Sequence, residues 1–402
     1  MVDENATELL VVGAGVIGLS CAWRAAQDGH RVTVLDPAPA SGASWVAGGM
    51  LAPVTEAWPG EEDLLALGVA SVGCWPAFAA ELADAAGRPA GLRTDGTIVA
   101  ATGSGDRAEL DTLAAHLARL GRPVDRLTGR ELRRLEPGLG PEVRGGLSVP
   151  DDLAVDNRVL LAALQIAAER AGAVFIDTAV AAVLDDGTRV VGVRLADGTR
   201  RAAATVLVAA GAHSAGLHPV LHGLVRPVKG EILRLALRPG AFPMPRRTVR
   251  ALVDGRPLYL VPRADGIVLG ATQSEVGFDT TVTVGGVRDL LRDAERILPG
   301  IAEYALVESA AGLRPGSPDN LPLIGALGPD GLLVATGHHR NGMLLAPVTA
   351  DAVAGLLRGD PLPEPVRAAD PARLQHVRWI NAAAEQDGDP PVESPVPAAP
   401  RR

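Results

Sequence analysis

Residues 9–12 form an unbroken apolar run that stops at Gly13, the pattern of a strand buried on both faces. From 15 to 28 the apolar positions recur at helical spacing, and Gly29 suits the left-handed residue just past a helix end. Residues 31–35 read as a second buried strand ending at Asp36. Strand, helix, strand is a βαβ unit, for which parallel strands and a right-handed crossover are expected. Beyond Pro53 the texture changes: 66–86 and 107–120 predict amphipathic helices, with a strand at 96–101 between them. Residues 156–172 predict a helix with Asp156 as N-cap, followed by a strand at 173–176. Three short strands with turns at Asp186-Gly187 and Asp197-Gly198 make a meander over 178–204, and 205–210 is again a buried strand closed by Gly211. Strand-like runs at 228–237, 258–261 and 267–271 come next, then a helix at 287–298 stopped by Pro299-Gly300, a strand at 332–335 and a helix at 342–357.

This order leaves the parallel sheet after Met50, returns near 150, leaves again after about 218 and comes back after about 310. An α/β chain of two interleaved domains is expected. A nucleotide-binding domain would take 1–52, 151–217 and 310–360; 53–150 and 218–309 would form a substrate domain on a mainly antiparallel α+β sheet, with a helical excursion. From 383 to 402 the chain is polar and Pro-rich, and a disordered tail is expected.

Charge removes several classes of function. The 402 residues carry 38 basic and 47 acidic groups, a formal net charge of −9, and no Lys/Arg run that would form a nucleic-acid or anionic-lipid face. Cys21 and Cys74 make neither a CxxC pair nor a metal-like spacing, so no metal site is expected, and a reducing, cytoplasmic setting is. The apolar stretch 9–23 is no signal peptide by its pattern: Asp3, Glu4 and Glu8 stand where basic residues belong, and Gly13, Gly15 and Gly18 interrupt it. No other apolar stretch of about 20 residues stands out, so no membrane span is expected. Scarcity marks two further positions: Lys229 is the sole lysine, and Tyr259 is one of only two tyrosines.

Gly13-Ala14-Gly15-Val16-Ile17-Gly18 is G-x-G-x-x-G, placed between a strand and a helix and answered by Asp36 at the end of the next strand. Glycines there allow a tight turn and let bare backbone approach a pyrophosphate at the helix N-terminus, while the acid accepts hydrogen bonds from the adenosine ribose. The motif does not separate NAD from FAD. Residues 41–53, small and glycine-rich from Ser44 through Gly48, Gly49 and Met50, suit a segment lying along an extended cofactor.

Three later motifs carry a family resemblance: Pro227-Val228-Lys229-Gly230-Glu231, Ala311-Gly312-Leu313-Arg314-Pro315-Gly316-Ser317-Pro318-Asp319, and Gly337-His338-His339-Arg340-Asn341-Gly342-Met343-Leu344-Leu345-Ala346-Pro347. From about 8 to 360 the chain resembles the FAD-dependent amine oxidases of the D-amino-acid oxidase and glycine oxidase class, and most closely the glycine oxidases of thiamine biosynthesis. The resemblance implies a Rossmann-like FAD domain of the glutathione-reductase type. In it FAD would be held by Gly13, Gly15, Val16, Ile17, Gly18, Asp36, Ser44, Gly48, Gly49, Met50, Val180 and Gly211, and by His338, Arg340, Asn341, Gly342, Met343 and Leu344 at the start of the last helix. Binding would be non-covalent, since related sarcosine oxidases tether flavin through a C-terminal cysteine that this chain lacks. Arg314 would clamp the substrate carboxylate with the fork that suits a guanidinium, Tyr259 would lie over the substrate, and Arg340 would serve either substrate or flavin.

His339 stands where relatives often carry an aromatic residue. No general base is required if the amine enters neutral, because hydride transfer to flavin N5 then needs orientation alone. The implied reaction is oxidation of glycine, small amines such as sarcosine, or D-amino acids to the imine and then glyoxylate or a keto acid plus ammonia. Dioxygen would become hydrogen peroxide, and the product would feed thiazole synthesis. A D-amino-acid dehydrogenase using another acceptor and a non-catalytic dinucleotide-binding regulator are the alternatives. Relatives suggest a homo-oligomer, commonly a tetramer. For Lys229 the reading is a site that needs a compact ammonium rather than a planar fork.

Overall fold

The structure is a computed structural model that describes residues 7–374; the tail expected at 383–402 lies outside them. Strand Thr7–Val12 pairs in parallel with Val32–Leu35 on one side and Arg200–Val208 on the other, and Val174–Ile176 extends the sheet in parallel beyond Val32–Leu35. Leu332–Thr336 adds in parallel to the 206–208 end of Arg200–Val208, with Leu323–Ala326 antiparallel at the edge. The expected βαβ unit is present. Helix Val16–Gln27 ends with Gly29 in the left-handed region (φ 88°), and the His30 N–H donates back to the Ala25 carbonyl. Asp156 caps helix Asn157–Arg170 by accepting from the Arg158 and Val159 N–H groups at 3.1 and 3.3 Å.

One expectation is corrected in the meander. Its third strand and the buried strand at 205–210 are a single strand, Arg200–Val208: residues 200–202 pair antiparallel with 192–194, and 203–208 enter the parallel sheet. The burial pattern switches along it from exposed to fully buried, which is why the sequence reads as two pieces.

Among the described residues the second sheet has eight strands, in the order Ala305–Gly316, Arg226–Ala236, Gly266–Gly270, Arg256–Pro262, Thr248–Val253, Thr97–Ala101, Gly145–Val149 and Asp125–Thr128. All its neighbours are antiparallel except Thr248–Val253 with Thr97–Ala101. Residues 310–316, expected with the nucleotide-binding part, hydrogen-bond instead along Arg226–Ala236, with Arg314 opposite Val228 and Gly312 opposite Gly230. Long-range pairing, invisible to local periodicity, therefore carries Arg314 into the second sheet.

Helices Val16–Gln27, Glu62–Ala86, Asn157–Arg170 and Gly342–Arg358 share one apolar core with the first sheet, and there the Phe78 ring meets Trp23 and Trp75 edge-on at 5.3 and 5.5 Å. Helix Glu62–Ala86 corrects the expectation that no further segment has the length and apolarity of a membrane span. Its apolarity has a packing reason: Leu64, Leu67, Trp75, Phe78 and Leu82 are buried in that core, and Ser71 and Trp75 donate to the Leu344 carbonyl. A second core lies between the second sheet and helix Val284–Ile297.

Candidate active site

A cavity of about 740 Å³ runs between the two sheets, within the usual size range for cofactor sites. At one end it begins on the turn Gly13–Gly15. Gly13 has φ 106°, and a Cβ there would fall 2.5 Å from the Ala209 carbonyl oxygen; one on Gly18 would fall 1.9 Å from the Gly13 oxygen. Only bare backbone fits at these two positions, so the turn brings side-chain-free main chain and the helix N-terminus up to the cavity. Asp36 braces this turn as well as lining the cavity: its Oδ2 accepts from the Ala14 N–H and its Oδ1 from the Ala38 N–H, both at 2.7 Å. The Ser44 hydroxyl accepts from the Val16 N–H at 3.0 Å in the first helical turn.

The segment 44–50 is held from below. Asn157 Nδ2 donates to the Ser44 and Trp45 carbonyls at 2.8 Å each, and Arg263 Nη2 donates to the Gly48 carbonyl at 2.8 Å. Tyr259 closes over Gly48, where a Cβ would lie 2.7–2.9 Å from the ring and hydroxyl. Burial pushes the Tyr259 hydroxyl pKa up against the opposing field of Arg314, so the phenol keeps its proton.

At the far end Arg314 Nη1 donates to the Lys229 and Thr272 carbonyls at 3.4 Å each, and the guanidinium lies over Gly230. Those long bonds leave most of its five donors for a ligand carboxylate.

Glu56 stands between two more arginines of the cavity wall. Its Oε1 is 3.3 Å from Arg250 Nη2 and its Oε2 is 3.2 Å from Arg340 Nε, while Arg340 Nη2 donates to its carbonyl at 3.0 Å. Burial opposes ionisation of Glu56, but the guanidiniums of Arg250, Arg340 and Arg314 prevail and hold its carboxyl below the ordinary value. Behind it Asp152, wholly buried, accepts from the Val54 and Thr55 N–H groups at 3.2 and 2.7 Å, and burial raises its pKa to about 6.

His338 and His339 are both neutral at ordinary pH: burial lowers the first to about 3, and burial with the nearby Arg314 and Arg340 lowers the second to about 4. The His338 ring is tied to Thr349 Oγ1 at 3.1 Å. An imidazole so hard to protonate is a poor general base.

Of the residues expected at the cofactor, Gly13, Gly15, Val16, Ile17, Asp36, Ser44, Gly48, Gly49, Met50, Val180, Gly211, His338, Arg340, Asn341, Gly342 and Met343 line the cavity, as do Arg314 and Tyr259. Gly18 and Leu344 do not. Gly18 serves helix-to-turn packing, and Leu344 turns into the core against the helix bearing Gly68. Arg340, left between flavin and substrate, has its guanidinium engaged by Glu56. Sequence reasoning missed Glu56, Arg250, Thr272 and Gln273, which all line the cavity. No local pattern marks them: Arg250 lies in Thr248–Val253, a strand the sequence pattern does not predict, and Glu56, Thr272 and Gln273 lie outside regular strands and helices.

Residues 8–356 match the model of the DAO family, described as FAD dependent oxidoreductase. The chain is 36% identical over 361 residues to "Glycine oxidase" of Geobacillus kaustophilus, covering 87% of this chain and 92% of that protein. It is 35% identical to "Glycine oxidase" of Pseudomonas aeruginosa over 378 residues, 91% of this chain and 99% of that one. It is also 34% identical over 360 residues to "Bifunctional protein ThiO/ThiG" of Trichormus variabilis, with 88% of this chain aligned but only 54% of the relative, so it spans about half that protein's length. The crystal structure of glycine oxidase from Geobacillus kaustophilus superposes with a TM-score of 0.83 at 33% identity, covering 91% of this chain and 98% of that one.

Proposed function

The chain belongs to the FAD dependent oxidoreductase family, and from that premise we propose that it oxidises glycine, with sarcosine and D-alanine as alternative small substrates. The imine formed is hydrolysed to glyoxylate, or the matching keto acid, and an amine: ammonia from glycine. FAD, when bound, supplies the two-electron acceptor and passes the electrons to dioxygen as hydrogen peroxide. The cradle fits that group: bare backbone at Gly13, a helix N-terminus, the Asp36 carboxylate and a cavity that continues from there to Arg314. Neither Cys21 nor Cys74 lines the cavity, so no thiol is placed for a covalent tether.

One observation carries the substrate reading: a guanidinium with free donors lies in the cavity wall beside the Tyr259 hydroxyl. Arg314 binds the carboxylate in two parallel hydrogen bonds and thereby orients the Cα–H bond, and Tyr259 covers the substrate from the other strand. The Tyr259 ring closes against Gly48 at this end, leaving no room for a side chain between them. Glu56 pairs with Arg250 and Arg340, whereas Arg314 forms no ion pair among the described residues and is left for a monoanion. The neutral His338 and His339 leave the substrate amine to arrive already unprotonated.

Similarity to glycine oxidases and, at 34% identity over 349 residues, to "Putative thiamine biosynthesis oxidoreductase ThiO" of Rhizobium etli supports a role in supplying the thiazole precursor. The proposal includes a reducing, cytoplasmic setting, supported by the two free cysteines. It also includes a homo-oligomer, checked by light scattering.

Anaerobic glycine should bleach the flavin bands of the purified protein, and peroxide should form one-for-one with glycine in air. Turnover with an artificial acceptor alone overturns the oxidase reading. Arg314→Leu should raise KM for glycine roughly 100-fold with flavin still bound, as expected for loss of a carboxylate clamp; unchanged KM overturns the clamp.

A further inference from the structure

We propose that Lys229 is a positioning residue for the substrate carboxylate: its ammonium holds the segment 272–283 against the strand Arg226–Ala236 and so fixes the two carbonyls that seat Arg314. This deepens the carboxylate-clamp reading and rests on it.

Strand alternation divides the run Lys229-Gly230-Glu231 between two faces. Gly230 and Ile232 line the cavity, with the Arg314 guanidinium lying over Gly230. Lys229 and Glu231 turn to the other face and are almost wholly buried there. The Lys229 ammonium lies 3.5 Å from Glu231 Oε1 and 3.3 Å from Asp279 Oδ2, and it donates to the Thr281 carbonyl. Thr280, between the two residues so held, lines the cavity. Glu231 fastens the next stretch of chain: its Oε1 accepts from the Thr283 N–H at 3.0 Å, and Thr283 caps helix Val284–Ile297.

The main chain of the same residues completes the link. The Lys229 N–H donates to the Ser274 carbonyl at 2.9 Å, the Ser274 N–H returns to Lys229 at 3.1 Å, and the Thr272 N–H donates to the Glu231 carbonyl at 3.2 Å. Arg314 is seated on the carbonyls of Lys229 and Thr272, one from each of the segments so joined. Without the ammonium, Glu231 is a buried carboxylate without its counter-charge beside Asp279, and repulsion would open the segment and carry the Thr272 carbonyl away. A guanidinium is a poor substitute. Three acceptors converge on one nitrogen, which a compact ammonium satisfies and a planar fork does not. In a chain that otherwise writes arginine for every basic residue, that is a physical reason for its one lysine.

The test compares wild type, K229M and K229R as FAD-loaded proteins. Acetate binding is read from its perturbation of the flavin spectrum, alongside glycine KM, kcat and flavin content. In K229M, acetate Kd and glycine KM should both rise about tenfold, with kcat and flavin content within about twofold of wild type. K229R should bind acetate as weakly as K229M. Unchanged acetate affinity in K229M overturns the inference alone, and so does a parallel fall in kcat and flavin content, which marks general structural damage. Wild-type affinity in K229R overturns the need for an ammonium. A wild type that binds neither acetate nor glycine overturns the carboxylate clamp itself, and the inference with it.

Discussion

The Arg314 guanidinium fills the space above Gly230: a Cβ on that glycine would lie 2.1 Å from Nη1 and 2.4 Å from Cζ. The two residues sit on adjacent antiparallel strands, where Arg314 pairs with Val228 and its side chain reaches along to Gly230. The glycine of the Pro-Val-Lys-Gly-Glu motif is thus read as room for a side chain that arrives 84 positions later in the sequence.

Gly230→Ala should therefore displace the guanidinium without touching the dinucleotide cradle. Glycine KM is expected to rise on the order of 10–100-fold, with flavin content retained, since the methyl intrudes only on the clamp. Steady-state kinetics with a flavin absorbance ratio checks both halves, and a loss of flavin with unchanged KM would contradict the geometry.

Glu56→Gln removes the carboxylate that bridges Arg250 and Arg340, Arg340 keeping only the longer contact to Glu61 at 3.7 Å. Two largely buried guanidiniums are then left facing each other, and the fold should lose about 2–3 kcal/mol, towards the lower end for a broken buried pair because both arginines keep some solvent contact. Urea unfolding at fixed FAD concentration measures this. A variant as stable as wild type would show that Glu56 is not the counter-ion its distances indicate.

His338 makes the protein acid-sensitive in a definite window. Its folded pKa of about 3 lies below the ordinary 6.5, because burial disfavours the charged ring. As pH falls below 6.5 the unfolded chain takes up a proton that the folded one refuses, so stability falls by up to about 1.4 kcal/mol per pH unit, until the folded ring also titrates near pH 3. Asp152 opposes this between its ordinary 3.8 and about 6, where the folded carboxyl holds the extra proton. His338→Gln should flatten the acid limb of wild type by roughly that slope between pH 6 and 4.5. Denaturant midpoints across that range read it, and parallel curves for the two proteins would refute the assignment.

The local elements were legible because each has a local cause. The glycine turn, the helix after it and Asp36 lie within 24 residues of one another, and backbone sterics with apolar periodicity suffice to place them. The long strand Arg200–Val208 was split in two because its environment changes midway from solvent to core. Leu344, expected at the cofactor, faces the core because the first turn of its helix has one side on the cavity and the other against Glu62–Ala86. Periodicity gives a helix but not which side of its first turn meets a ligand.

By itself the sequence determined the βαβ cradle and its acid, and it singled out Tyr259 by scarcity and Arg314 by the motif that carries the family resemblance. Tertiary structure alone decided how those side chains are held. Arg314 joins the second sheet by pairing Ala305–Gly316 with Arg226–Ala236, Arg340 reaches Glu56 across 284 positions, and Lys229 meets Asp279 across 50. The physical reason is that turns and helices are set by neighbours a few residues away. The partner of a buried charge is set by where the chain returns, and desolvation then admits only the pairing that the packed sheets bring together.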